Sequence, residues 1–305
     1  FDGNIQNVKI YNRVLSADEI TILYERPWEG IEYGDTFHYD PPAPASMLPL
    51  TSDSINTNQE LWLPLTETDD YASGAKDING SSDGTQSGGV LSKSSVIGGV
   101  ASFDGTNDII ATSGVTTDFS ATDYTASLWV RLNSTTGNPY FLSKWGSVSG
   151  YAVFFWLTSG TQKVRVQIGT TGSTATVAEY DIASELTTDF RNLALVLSGN
   201  KFSSSSISLY MDGVLLSPDS TTNGTGALLD GSGDFAIAGR PDGISRYVDG
   251  DIGNVRLWSR ALTADEVWSI YSNPWLGSNY KLAAGSSSTP LYNYIFRTER
   301  FRRLG

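Results

Sequence analysis

Read as a pattern of apolar and polar positions, the chain is a string of short runs with a two-residue period. ELWLPL, GVASFDG, YTASLWVRL, GYAVFFWL, KVRVQIG, RNLALVLSG, SISLYMDG, FAIAG and GNVRLW follow one another, separated by Gly, Asn, Asp and Ser. Such alternation between turn residues is the mark of half-buried strands. In KVRVQIG, Val164, Val166 and Ile168 fall on one face and Lys163, Arg165 and Gln167 on the other. GYAVFFWL is apolar on both faces, so either both are covered or its aromatics are displayed to a ligand or partner. Nine or more runs of this kind predict an all-β protein.

The pattern also repeats. Residues 1–28, FDGNIQNVKIYNRVLSADEITILYERPW, align without gaps on 248–275, VDGDIGNVRLWSRALTADEVWSIYSNPW, with 13 of 28 positions identical. Each copy reads as an Asp-Gly turn, an alternating strand and a short helix. The helix opens on a capping box, Ser16 with Glu19 and Thr263 with Glu266, and stops at Pro27 or Pro274. One strand and one helix bury no core alone. The chain therefore divides into 1–29, the C-terminal remnant of an upstream module; 30–59, a linker stiffened by Pro41, Pro42, Pro44 and Pro49; 60–275, a complete module; and 276–305, a basic, aromatic tail.

Composition removes several kinds of chemistry. Cysteine is absent and the single histidine, His38, lies in the linker, so the 60–275 module holds no thiolate site, zinc cluster or His-based triad. No apolar run approaches the ~20 residues of a membrane span. A net charge of −13 argues against gripping nucleic acid through its phosphates. Residues 281–305 reverse that sign, with Lys281, Arg297, Arg300, Arg302 and Arg303 against Glu299, which makes them +4 and the rest −17. A basic tail on an acidic body suits either docking on a neighbour or a solvated end.

Several motifs now resemble, in order, the laminin-G-like, concanavalin A-like lectin and glucanase family. They are Asp77 to Gly80 after the opening strand; Phe103, Asp104, Gly105 and Asp108; Trp129 in SLWVRL; Tyr210, Asp212 and Gly213; and the terminal DGDIGNVRLWSRALTADEVWSIY. The resemblance implies a jelly-roll sandwich of two antiparallel sheets with a short helix after the last strand. Modules ending as Tyr271 to Trp275 does resemble those of bacteriophage virion proteins and bacterial surface proteins, which implies an extracellular or virion-surface setting within a homo- or hetero-oligomeric assembly.

The fold hosts lectins, adhesion modules and glycosidases alike. Its glycosidases need two carboxylates at alternate positions of one strand. Here the nearest approach, Glu67, Asp69 and Asp70, falls in a loop and reads as a solvated turn, so no enzymatic activity is expected. Calcium suits the oxygens of Asp104, Asp108, Asp249 and Asp251, although Asp-Gly pairs also simply make turns. For a glycan, Trp145 in a Gly- and Ser-rich loop is the candidate stacking residue, with Tyr151, Arg240 and Tyr247 in or beside loops that could converge on it. Trp62, Trp129, Trp156, Trp258 and Trp268 read as core. The expected function is non-catalytic recognition or decoration, binding glycan or docking a neighbouring virion or surface protein. The alternatives are a structural virion assembly protein and a carbohydrate-binding module of a secreted bacterial protein.

Overall fold

The computed structural model describes residues 55–274 apart from 68, 81, 96, 119–121, 146–150, 158–162, 230–232 and 241–245, and of 145, 151–154, 156 and 157 it describes the backbone. The first copy of the repeat, most of the linker, Trp275 and the basic tail lie outside the described residues.

Among the described residues the strands are β1 (Gln59–Leu63), β2 (Thr85–Ser87), β3 (Leu91–Ser95), β4 (Gly98–Asp104), β5 (Ile109–Thr112), β6 (Tyr124–Leu132), β7 (Tyr140–Trp145) and β8 (Tyr151–Leu157). They continue with β9 (Val164–Ile168), β10 (Thr176–Tyr180), β11 (Arg191–Leu197), β12 (Ile207–Met211), β13 (Val214–Leu215), β14 (Ser220–Thr222), β15 (Phe235–Ile237) and β16 (Asp249–Trp258). A one-turn helix, α1 (Glu185–Thr188), precedes β11, and α2 (Ala264–Ser272) follows β16. The alternating runs all became strands. The strands that sequence did not foresee include the edges β2, β3, β13 and β14, whose segments TQS, LSKSS, VL and STT are too short or too polar to alternate.

They form two antiparallel sheets. The first runs β13-β12-β11-β6-β16-β4-β3 with β1 also on β16, and the second runs β14-β10-β9-β8-β7-β15-β5-β2. Alternation supplies the core between them: Ala126, Leu128 and Val130 of β6, Leu193, Leu195 and Leu197 of β11 and Ile252, Val255 and Leu257 of β16 face Val164, Val166 and Ile168 of β9, with Phe155 and Phe235. Each of the Val, Leu, Ile and Phe side chains among them, fully buried, is worth roughly 1.5–3 kcal/mol.

β16 organises the first sheet. β6 pairs along one of its sides, while β4 takes residues 249–252 and β1 takes 255–258 of the other. Between those two partners the strand is bulged at Gly253 to Arg256, and Asn254 adopts a φ of 47°, a left-handed conformation that Asn tolerates. Its side-chain oxygen accepts the Trp62 indole N–H at 2.6 Å and its amide donates to the Pro274 carbonyl at 2.8 Å, so one residue ties β1, the bulge and the end of α2 together.

Part of the outward face of this sheet is covered by α2, while Lys93, Arg131 and Asp251 stand on another part of it. The capping box of α2 is in place: Thr263 Oγ1 accepts Glu266 N–H at 3.3 Å and Glu266 Oε2 accepts Thr263 N–H at 2.8 Å. Val267 and Ile270 pack with Ile55, Ala194, Val196 and Trp258. Ile55 is fully buried and its carbonyl accepts the Trp258 indole N–H, so the packing of the sandwich reaches back into the stretch read from sequence as linker. Trp62, Trp129 and Trp258 are buried as expected, whereas Trp268 is only half-buried.

Candidate functional site

The carboxylates expected at a cation site are occupied by the fold. Asp108, 2% exposed, accepts Gly89 N–H at 2.6 Å and Asp104 N–H at 3.0 Å. Asp251 is buried under Lys93, at 3.0 Å, and Arg131, at 2.5 Å. Asp104 and Asp249 do meet as opposite residues of β4 and β16, but Asp104 accepts Thr106 N–H and Asp249 accepts the Asn133 amide. Among the described residues no three acidic, histidine or cysteine side chains gather where a metal ion could sit. Of the two Asp-Gly pairs, Asp104-Gly105 leads into the bend after β4, whereas Asp249-Gly250 lies inside β16.

The acidic run after β1 is likewise dispersed. Glu67 accepts Lys76 N–H at 2.6 Å, Asp69 accepts the Ser73 hydroxyl, and Asp70 accepts Ser92 N–H on the edge strand β3. The expectation of a solvated turn is wrong for Glu67, which is half-buried; desolvation raises its carboxyl pKa against the lowering effect of the Lys76 amide. Nearby, Asp77 accepts three backbone N–H groups, from Trp62, Asn79 and Ser82.

The four residues proposed for a glycan fall in two places. Trp145 does not sit in a loop: it is the last residue of β7 and pairs in register with Tyr151, the first of β8. The Gly- and Ser-rich stretch after it misled, because the hairpin strands extend to its edge. Arg240 and Tyr247 belong to the connection from β15 to β16, whose Arg246 carbonyl accepts Tyr140 N–H at the other end of β7. Five strand steps separate Tyr140 from Trp145, about 16 Å.

That connection is held at both ends by left-handed non-glycine residues, Ala238 at φ 65° and Arg246 at φ 97°. Backbone of this kind persists only where surrounding structure enforces it, and it collects at ligand-binding loops. Enforcement here comes from Ala238 N–H to Phe141 O, Val248 N–H to Ala238 O and the Ser143 hydroxyl to Gly239 O at 2.9 Å. The Tyr247 ring and the Ile109 side chain both lie against Gly239, and the Arg246 guanidinium stands 5.4 Å over the Tyr140 ring.

A polar stripe that sequence reading left unassigned lies on the outward side of the second sheet. Arg165 of β9 grips Glu179 of β10 through Nε at 2.7 Å and through Nη2, and the Ser220 hydroxyl of β14 donates to the same carboxylate at 2.7 Å. Burial alone would raise the Glu179 pKa, yet the Ser220 hydrogen bond and Arg165 hold it below the ordinary value. Lys163 approaches Asp219 at 3.7 Å, and Gln167 is half-buried in the same row. Register sets Trp156 opposite Arg165 and Phe154 opposite Gln167. The signal for this stripe was in the sequence, as the polar half of KVRVQIG.

Two eight-stranded antiparallel sheets, one partly covered by a helix and one with a polar outward face, define a jelly-roll sandwich. A family model described as the concanavalin A-like lectin/glucanases superfamily, Laminin_G_3, matches residues 104–268, more than half of the chain, and the chain belongs to that family. Similar solved structures include the botulinum neurotoxin serotype D binding domain, at TM-score 0.55 and 14% identity over 73% of this chain and 53% of that one. Domain 4 of AbnA, a GH43 extracellular arabinanase from Geobacillus stearothermophilus solved with arabinotriose, aligns at TM-score 0.52 and 16% identity over 70% of this chain and 98% of its own. The binding domain of Paraclostridial Mosquitocidal Protein 1 aligns at TM-score 0.52 and 14% identity, over 72% and 53%. The chain thus spans about half the length of the toxin binding domains and nearly all of the arabinanase domain. Identities this low show the fold. No curated protein matches the chain.

Proposed function

We propose that this chain is a non-catalytic recognition module that binds glycan, or docks a neighbouring protein, through the outward face of its second sheet. The observation that carries the reading is the row of Arg165, Glu179, Ser220 and Gln167 across the outward side of the second sheet, where the first sheet has α2 packed over Trp258, Val196 and Ala194. Planar polar groups in a row, with Trp156 and Phe154 in the adjacent register positions, are the furniture of sugar recognition. The acidic groups of the nearest catalytic candidate, Glu67, Asp69 and Asp70, are each engaged by a different partner, which suits a binding role better than hydrolysis.

The similar structures fit this reading, being binding domains of toxins and a domain of an arabinanase solved with an oligosaccharide. We place the module on an extracellular surface, with a phage virion as the leading setting because of the Tyr271 to Trp275 ending. A glycan array probed with the full chain, and repeated with Arg165→Ala, tests the proposal. Binding lost in the variant supports it; absence of binding to any glycan would leave the protein-docking role alone. Capsid or tail genes beside this reading frame would support the virion setting, and their absence would remove it.

A further inference from the structure

Away from the residues that α2 covers, the outward face of the first sheet carries a row of side chains with a chemistry of its own. Register sets Leu91 of β3 beside Ser102 of β4, Ser102 beside Asp251 of β16, and Asp251 beside Arg131 of β6. The row crosses four strands, a span of about 14 Å. Lys93 reaches into it from the next position of β3 on the same face, and its ammonium stands 3.2 and 3.0 Å from the two Asp251 oxygens. Arg131 meets Asp251 through Nη2, with its guanidinium laid 4.9 Å over the Phe190 ring.

Where the row is open, it offers donors. Asp251 is fully buried, while the side chains of Lys93 and Arg131 are 45% and 32% exposed, so a ligand meets the two cations and not the carboxylate between them. Two positive charges on one negative leave a local excess of one, in a protein whose net charge is −13. With Nη2 on Asp251, Arg131 keeps the N–H groups of Nε and Nη1 for another acceptor, and a guanidinium edge suits an oxyanion.

Two residues further along β4 and β16 the chemistry reverses. Asp104 and Asp249 stand opposite each other on this same face, one accepting Thr106 N–H and the other the Asn133 amide through a single oxygen. Among the described residues no side-chain or backbone donor engages their second oxygens, which are left to accept hydroxyls and to repel a further anion. Leu91, 55% exposed, and the Phe190 ring add apolar surface at the two ends of the row. A free phosphate or a polyanion suits one half of this pattern and is repelled by the other. A saccharide with one oxyanion and several hydroxyls suits both.

We propose that this row is a second binding site, on the opposite sheet from Arg165, for an acidic sugar. The oxyanion of the sugar, a carboxylate or a sulfate ester, lies between Lys93 and Arg131, its hydroxyls donate to Asp104 and Asp249, and its C–H surface rests against Leu91. The site is independent of the face formed by β9, β10 and β14.

Calorimetric titration of the full chain tests this with two ligands, a disaccharide ending in glucuronate and a sulfated lactose, each beside its neutral counterpart, the methyl ester and lactose. At least one acidic ligand should bind about tenfold more tightly than its neutral counterpart, and which one does so identifies the oxyanion. Lys93→Met should weaken that binding about tenfold, Lys93→Arg should retain it, and Arg165→Ala should leave it unchanged. Asp251→Asn removes the buried counter-charge and should tighten binding severalfold, an effect of opposite sign that a purely bracing role does not produce. If that variant does not fold, Lys93→Met, which leaves Arg131 to Asp251, decides. Binding of neither acid, equal binding of acid and neutral counterpart, or an unchanged affinity in Lys93→Met would overturn the proposal. So would a loss of the acidic ligand in Arg165→Ala, which would move it to the second sheet.

Discussion

The outward faces of the two sheets carry the contrast from which most can be learned. On the first, α2 and Ile55 cover Trp258, Val196 and Ala194, and even a guanidinium, Arg256, is buried. On the second, the row through β9, β10 and β14 is half-buried or exposed and is held by ion pairs and hydroxyls. The family-like motifs all belong to the first sheet and its connections. Asp212 accepts Asn192 N–H and pairs with Arg191, Gly213 gives Trp268 its seat, and Trp129 stacks on Tyr271 with ring centroids 5.8 Å apart. The motifs thus record how the sandwich closes, and none of them lies in the row through β9, β10 and β14.

The contrast breaks most visibly at the sealed face. Trp258→Ala removes a fully buried ring, its hydrogen bond to the Ile55 carbonyl and the floor under Val267 and Ile270. A loss of about 3–5 kcal/mol is expected in denaturant unfolding. A loss under about 1 kcal/mol would mean that α2 contributes little to closure. Asp108→Ala comes next, at about 2–4 kcal/mol, because two amide N–H groups, of Gly89 and Asp104, lose their acceptor. The same melts, run with and without chelator on the parent, separate bracing from metal binding. An unchanged Tm is expected; a drop in chelator would restore the cation site.

These residues also show why the fold was legible in the sequence and the site was not. Val164, Val166 and Ile168 alternate because a two-sided sheet requires it, and Thr263 with Glu266 must stand three apart to cap a helix, so local rules expose both. The candidate aspartates were visible as well, but their use depends on long-range register: Asp251 meets Lys93 and Arg131 from strands 158 and 120 positions away. Arg165, Glu179 and Ser220 likewise converge from three strands, and no local period ties Ser220 to the other two. Trp145 was misplaced for the opposite reason, since its Gly- and Ser-rich neighbours masked a strand end that only pairing with Tyr151 reveals.

Smaller effects sharpen the comparison. Glu266 lies below its ordinary pKa: burial raises it, but Arg260 and the Thr263 cap outweigh that. A carboxyl depressed in the folded state stabilises above its unfolded pKa, and that contribution is lost as pH falls through the lower folded value. Glu266→Gln should therefore flatten the acid limb of the stability curve below about pH 4.5, where the parent loses stability. An identical acid limb in the variant would remove the carboxylate from the account of α2. On the open face, Arg165→Ala should cost about 0–1 kcal/mol of stability, since the Arg165–Glu179 pair is partly solvated. A loss of several kcal/mol there would mean that the stripe is structural like the first face.

The smallest expected effect is also the one that best divides charge from packing. Arg256 is 1% exposed, with its guanidinium 3.8 Å from the Trp62 ring and 4.9 Å from the Trp258 ring, and the Gln59 amide oxygen, turned inward, accepts from its Nε and Nη2. Burial lowers its pKa to about 9, so the folded state disfavours the charge. Two rings offset part of the desolvation through cation–π attraction, and the side-chain stem fills volume like an aliphatic residue. Arg256→Met keeps the volume and removes the charge, so its stability at pH 7 should lie within about 1 kcal/mol of the parent. Arg256→Ala, which also empties the space between the tryptophans, should cost about 2–5 kcal/mol. If Met proves as damaging as Ala, the cation itself holds Trp62 and Trp258 together, and the sealed face is then as electrostatic in origin as the open one.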